Sequence, residues 1–357
     1  MLSNLQFPVL TDNNKNMISY IIIVVIFFII VWIIYYAIRV NGLQGRECNY
    51  MKKLYPKVNG AIRPINKNDP KCAGKLYDYS IKTAFNACSG GDYSYDYVDV
   101  CNLKSILTTG TRCLDFALYS IDDNPVVATS INDNYYTKET FNSVPFSDVM
   151  KTIKDYAFAT GTAPNNTDPI IIHLRIRSNN RKMYNKLTKI FKAYDSMMLG
   201  NAFSYESGGN NLGNASLLEF MNKVILIVDK HDQSFLQHDE LLEYINLTSS
   251  SDYMRVYRFS DMENNADANE LTFFNKRAMT MIIPDEQSNP SNPNGKLCRE
   301  NGCQMVAMRL QYNDGQLKEE IDFFDKCGYA FCLKPKEVRD NVTTNKSKKK
   351  NDNNYEL

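Results

Sequence analysis

The chain has 357 residues, of which 44% are hydrophobic and 23% charged, and its 41 basic side chains balance 40 acidic ones to a formal net charge of +1. That balance argues against a nucleic-acid partner, whose phosphates call for a concentrated cationic face. Length and composition fit one large globular domain with one unusual segment.

Residues 1–16 read as a polar N-terminal tail and residues 17–39 as the unusual segment. Within it, Ile18 to Ile38 runs 21 residues without a charge, which at ~1.5 Å per residue spans a bilayer core. The spacing predicts a transmembrane helix, with Trp32, Tyr35 and Tyr36 as interfacial aromatics. A cleaved signal peptide would have a shorter apolar core and a small-residue cleavage site, and neither is present. The flank after the helix carries Arg39, Arg46, Lys52, Lys53 and Lys57, against Lys15 before it. This bias predicts a single-pass membrane protein whose C-terminal domain faces the cytosol. The nine cysteines (Cys48, Cys72, Cys88, Cys101, Cys113, Cys298, Cys303, Cys327 and Cys332) would then be mostly reduced, and an odd number fits poorly with a fully paired framework. Five Asn-x-Ser/Thr sequons, at Asn165, Asn214, Asn246, Asn341 and Asn345, point the other way. In a chain this rich in asparagine such sequons can arise by chance, so the charge bias carries the expectation.

Residues 40–75 read as a stem needing little structure, rich in Lys, Asn and Pro. From Gly110 to Ala117 polar and apolar side chains alternate, which predicts a strand with Arg112 at its end, and Pro125 to Thr129 is a second short strand. Asp99 to Leu107 suits a helix ahead of the first of these strands. Val149, Ile153, Tyr156 and Ala157 share one helical face, a strand follows from Ile170, and Met183 to Tyr194 continues as a helix. Phe220 to Lys230 contains a further strand. Such strand–helix alternation implies a parallel barrel with its site at the C-terminal strand ends. Residues 341–357 read as a disordered Lys/Asn-rich tail, in which Lys348 to Lys350 could touch anionic lipid.

Several of these stretches carry recognisable motifs. Gly110, Arg112 and Cys113, followed by Pro125, Val126 and Val127, resemble the GCRCVELDCW and PVVYHG strands in the X region of the phosphatidylinositol-specific phospholipase C family. Phe146 to Phe158 resembles its FxDVIxxIxxYAF. Phe273 to Pro284, Asn301 to Gln311 and Cys327 to Pro335 resemble FVRYNKRQLSRIYP, NAGCQMVALNFQ and CGYVLKP of its Y region. The resemblance covers about Tyr79 to Arg339 and implies a PLC-like TIM (β/α) barrel, preceded here by a single transmembrane helix. Its X-like half would span residues 76–250 and its Y-like half residues 251–340.

The resemblance also implies a two-histidine mechanism, one imidazole deprotonating the inositol hydroxyl and the other protonating the leaving oxygen. The corresponding positions carry Ala87 and Thr129, and the first histidine in the chain is His173. Calcium, where the family uses it, is held by side-chain oxygens. Those positions become Cys88, Asp115, Ala117 and Arg175, so no cofactor is expected and the calcium site is largely lost. Arg175 could pair with Asp115 and still offer charge to a phosphate, or merely close the barrel mouth with it. In the family strand GKILIKGK, whose lysines reach ring phosphates, Lys223 is retained, Ile227 and Asp229 replace the later lysines, and Lys230 is a substitute. The headgroup arginine and the stacking tyrosine become Met281 and Ile283. His231 and His238 read as surface side chains. Cys298, Cys303, Cys327 and Cys332 could form a four-thiolate zinc site, although Cys303 and Cys327 already belong to the family pattern and buried thiols are the default.

Barrel-forming motifs are thus kept while the groups that do chemistry are replaced. The leading expectation is a membrane-anchored, catalytically degenerate phospholipase C homologue, acting as a binding or scaffold protein at the lipid bilayer. Its ligand would be a phosphoinositide or another anionic headgroup held by Arg112, Arg175 and Lys230. The alternatives are an active phosphodiesterase with a rearranged site built from Cys88, His173 and Asp115, and a purely structural membrane protein.

Overall fold

A computed structural model describes residues 12–132, 136–205 and 211–339. Residues 1–11 of the polar tail and the whole Lys/Asn-rich tail from residue 341 lie outside the described residues.

Helix α1 (Asp12–Asn41) is apolar on all sides between Ile18 and Ile38 and exposes its large side chains from Met17 to Ile38 rather than packing them against the domain. Among the described residues it is the one helix long and apolar enough to cross a membrane.

The stem expected at residues 40–75 is instead built into the domain. It begins with helix α2 (Leu43–Leu54), whose Met51 is fully buried in the main core. Gln44 Nε2 donates to Asp99 Oδ2 at 2.6 Å and the Tyr55 hydroxyl to the Leu310 carbonyl at 2.7 Å. A disulfide joins Cys48 on α2 to Cys101. A second disulfide joins Cys327 to Cys332, which takes two of the four thiols that a zinc site would need. The expectation of mostly reduced cysteines is therefore corrected for four of the nine; Cys72, Cys88, Cys113, Cys298 and Cys303 are free and buried.

The barrel follows in chain order as β1 (Tyr79–Ala84), α3 (Val100–Thr108), β2 (Cys113–Ile121), β3 (Asn124–Ala128), β4 (Val144–Pro145), α4 (Phe146–Thr152), β5 (Ile170–Arg177), α5 (Arg181–Ala193), β6 (Val224–Asp229), α6 (Asp239–Leu242), β7 (Leu247–Ser249) and β8 (Met254–Arg258). It continues with α7 (Phe259–Glu263), α8 (Ala268–Phe274), β9 (Met279–Ile283), α9 (Gly295–Glu300), β10 (Met305–Met308), α10 (Gly315–Cys327) and β11 (Phe331–Leu333). Asp99 caps α3 by accepting from the Cys101 N–H, as its position before the helical run leads one to expect. Strands lie in the order β7-β6-β5-β2-β1-β10-β9-β8 with every neighbour parallel, so the eight form a nearly closed barrel whose seam falls between β7 and β8. Antiparallel β3 and β11 pair with β2 and β1 outside this path.

The period of two separates the strand faces. Ile81, Cys113, Ile171, Ile225, Met279 and Met305 gather in one cluster inside the barrel. The intervening Leu114, Phe116, Ile172, Leu174 and Leu226 pack with Ile106, Val149, Leu187 and Phe191 of the surrounding helices. Gln304, before β10, closes the base. Its Nε2 donates to the carbonyls of Tyr77, Asn275 and Ala278, and its Oε1 accepts from the Thr280 N–H. One buried amide thus ties the segment at Tyr77 to the stretch from Asn275 to Thr280 through four backbone groups.

Candidate active site

Strand register decides which side chains meet at the mouth. Asp115 on β2 lies opposite His173 on β5, and Ala117 opposite Arg175. Asp229 at the end of β6 lies opposite Ser249 at the end of β7. These positions continue the inward parity of Cys113, Ile171, Ile225 and Leu247, so the interior turns from apolar to polar towards the C-terminal strand ends.

The polar layer is closed on itself. Arg175 clasps Asp115 with Nε 3.1 Å from Oδ2 and Nη2 2.8 Å from Oδ1, and Nη2 also donates to Asn86 Oδ1 at 2.6 Å. His173 Nδ1 lies 2.7 Å from Asp115 Oδ2, and Nε2 lies 2.8 Å from the Ser249 hydroxyl. Burial alone would raise the Asp115 carboxyl, but the Arg175 guanidinium and the His173 hydrogen bond outweigh it and hold the group well below the usual carboxylate range. An ionised Asp115 can only accept, so His173 Nδ1 carries the proton between them. Above this layer the Arg175 guanidinium lies 4.5 Å from the Phe85 ring, Phe85 meets Tyr93 edge-on, and Arg309 covers Tyr93 from 4.8 Å. Asp115, His173 and Ser249 are 0% exposed, Arg175 is 3% and Arg309 is 1%. The mouth of the barrel is filled.

The positions that the family would use for proton transfer take part in packing. Ala87 is buried, with its N–H on the Asp115 carbonyl. The Thr129 hydroxyl donates to the Tyr93 carbonyl at 2.9 Å. A calcium ion would need six or more oxygens. At the positions that align with the calcium ligands the chain carries Cys88, Ala117 and Arg175 beside Asp115, and the Arg175 guanidinium occupies both Asp115 oxygens, so the donor set does not fit that ion. Burial pushes the Cys88 thiol up, away from the thiolate that a nucleophile requires.

Of the three cations expected to hold a headgroup, the structure brings none together. Arg112 precedes β2 and so lies at the opposite end of the barrel from the mouth. There it is fully buried and donates to the Ala157 carbonyl at 3.0 Å and to Asn165 Oδ1 at 2.8 Å. Burial there lowers Arg112 to about 10 and raises its neighbour Asp168 to about 6. Arg175 is engaged with Asp115. Lys230, half-exposed after β6, lines a separate cleft of about 160 Å³ with Tyr205, Asn246, Thr248 and Tyr253, beside the β7–β8 seam. Lys223 lies before β6 and donates to the Ser196 carbonyl. Met281 and Ile283 are buried on the inner face of β9. His231 is exposed, and His238 stacks on Tyr184 at 4.4 Å.

Sequence reasoning missed Ser249, Arg309, Phe85 and Tyr93. For Arg309 the signal was present, two residues beyond Ala307 on a period-two strand. For Ser249 it was not, since β7 has three residues and no readable period.

Comparison with known proteins agrees with this architecture. Residues 73–230 match the family model of the phosphatidylinositol-specific phospholipase C X domain. No curated protein matches the chain. Among solved structures it is similar to PLC21 of L. pealei and PLC21 of S. officinalis, each with a TM-score of 0.60 at 18% identity over 75% of this chain and 38% of theirs. A calcium-dependent phosphoinositol-specific phospholipase C from Pseudomonas sp. aligns with a TM-score of 0.48 at 10% identity, over 77% of this chain and 99% of its own. The chain thus spans about 38% of the length of either PLC21, and at these identities the likeness is one of fold.

Proposed function

We propose that the chain, whose residues 73–230 match the phosphatidylinositol-specific phospholipase C X-domain model, is a divergent, membrane-anchored member of that family that has lost phosphodiester cleavage and acts as a binding or scaffold protein. The observation that carries this reading is Arg175 lying across both oxygens of Asp115, where the family would hold calcium. General acid–base groups contribute roughly two to four orders of magnitude each, and electrostatic stabilisers about as much again. With Ala87 and Thr129 in place of the acid and base, and an internal ion pair in place of the metal, none of these contributions remains. Helix α1 takes over membrane attachment, holding the barrel at the bilayer without any headgroup affinity. Lipid contact then comes from this anchoring and from the exposed surface near Lys230 rather than from three convergent cations.

Calcium titration of the detergent-solubilised full chain tests the reading. The expected result is the same unfolding midpoint in millimolar calcium and in chelator; a calcium-dependent rise that Asp115→Asn removes would overturn it.

A second reading rests on the hydrogen-bonded series Asp115, His173, Ser249, which has the connectivity of an acid–base–nucleophile relay. Its complete burial opposes it, because a nucleophile must reach its substrate. Labelling of Ser249 by a fluorophosphonate would establish it.

A further inference from the structure

Two observations that the candidate site does not use bear on which side of the membrane the barrel occupies. The first is the pairing of Cys48 with Cys101 and of Cys327 with Cys332, at Cα separations of 5.7 and 6.0 Å. The Cys48–Cys101 bridge lies on the membrane-proximal helix α2 and ties it to α3. Structural disulfides persist in oxidising compartments and are rare in the cytosol.

The second is how the fold sorts the sequons. Glycosylation attaches sugar to the Asn Nδ2, so an acceptor must be exposed and its Nδ2 must not be needed inside the fold. Asn165 fails on both counts. It is 0% exposed, its Nδ2 donates to the Gly110 carbonyl at 3.2 Å and to Asp168 Oδ2 at 2.9 Å, and its Oδ1 holds buried Arg112. Asn246 fails likewise, being 6% exposed with Nδ2 on the Phe203 carbonyl and Oδ1 on the Leu226 N–H. Asn214, in Asn214-Ala215-Ser216, is exposed. Its Oδ1 accepts from Lys75 Nζ at 2.7 Å and from the Tyr77 hydroxyl at 3.1 Å, which fixes the amide plane, while its Nδ2 makes no hydrogen bond among the described residues. A groove of about 390 Å³, lined by Phe203, Asn211, Ala215 and Glu219, opens beside it and leaves room for a sugar.

We propose that the barrel lies on the oxidising, non-cytosolic side of the membrane, stabilised by the Cys48–Cys101 and Cys327–Cys332 disulfides, and that Asn214 is an N-glycan acceptor. Each disulfide forms as two thiols give up two electrons and two protons to the disulfide of a thiol oxidase. In the glycan step the Asn214 Nδ2 loses a proton and bonds to the anomeric carbon of a lipid-diphosphate-linked oligosaccharide, with the lipid diphosphate leaving. The basic flank that predicts the opposite orientation runs into a folded domain: Arg46, Lys52 and Lys53 lie on α2, whose Met51 is buried in the core. Large domains translocate largely regardless of such charges. This inference is independent of whether the barrel is catalytic.

The test is expression of the full chain in a eukaryotic secretory system, followed by thiol counting and glycosidase digestion of sealed microsomes. The expected results are five maleimide-reactive thiols in the denatured, unreduced protein and nine after reduction, a barrel protected from added protease, and one glycan mobility step lost in both Asn214→Gln and Ser216→Ala. Nine reactive thiols before reduction, or a protease-sensitive barrel, would overturn the orientation. A protected, disulfide-bonded barrel whose mobility is unchanged by either substitution would overturn Asn214 as the acceptor.

Discussion

Arg175→Met removes the cation from the centre of the mouth and leaves a side chain of similar length on β5. Asp115, fully buried, would lose the bonds at 3.1 and 2.8 Å and keep His173 and the more distant Asn86 N–H. Removing one partner of a buried ion pair costs about 3–5 kcal/mol, because the remaining charge is uncompensated. The pH dependence follows from the direction of the shift. In the native chain the folded value of Asp115 is depressed, so its contribution to stability is present above the unfolded value of about 4 and is lost as pH falls through the lower folded value. Without the guanidinium, burial has less to oppose it and the folded value rises; the variant's deficit is then largest at neutral pH and shrinks as pH falls through about 4. Urea unfolding of the detergent-solubilised chain, followed by circular dichroism at pH 7.5 and pH 4, measures both quantities. The double variant with Asp115→Asn should recover part of the loss. A neutral-pH deficit below about 1 kcal/mol, or one that does not change with pH, would refute the reasoning.

Three further outcomes follow from other buried groups. Glu47 is pushed up to about 10, by burial first and then by the Asp96 carboxylate, so its contribution to stability is full below about 4.5 and is lost as pH rises toward the folded value. Glu47→Gln should therefore flatten the decline in stability between pH 6 and pH 9, whose slope from this group is at most about 1.4 kcal/mol per pH unit; parallel profiles for the two proteins would count against the assignment. Gln304→Ala should cost roughly 2–4 kcal/mol in the same urea assay, since it removes the partner of buried backbone groups at Tyr77 and in the stretch from Asn275 to Thr280. Gly328 ends α10 at φ +80°, with a Cβ there 3.0 Å from Arg63 Nη2, so Gly328→Ala should lower stability by about 1 kcal/mol and leave the fold intact by circular dichroism.

The barrel was legible in the chain because its strands and helices are long enough to show their periods and because its motifs fall at strand ends. The Asp115–Arg175 pair was legible for the same reason, since both lie at inward positions of neighbouring strands. Other features were hidden. The helix α2 buries Glu47 and Met51 one turn apart, but its basic residues dominate the pattern and make it read as a polar stem. Disulfide connectivity is not encoded in cysteine spacing, so the count of nine suggested free thiols where the fold pairs four. Arg112 was placed at the wrong end of its strand. It precedes Cys113, and in a parallel barrel the first residue of a strand lies at the base, where it is spent on Asn165 and Ala157. The closure of the mouth by Phe85, Tyr93 and Arg309 comes from segments far apart in sequence, and nothing local announces it.

We propose that this barrel has lost phosphodiester cleavage. Release of diacylglycerol from phosphatidylinositol and its phosphorylated forms, by the full chain in lipid nanodiscs with calcium and with chelator, tests it most directly. The full chain is needed because α2 is bonded into the core. No release above that of heat-inactivated protein is the expected result. Turnover that His173→Ala or Asp115→Ala abolishes would contradict the claim and establish a rearranged active site.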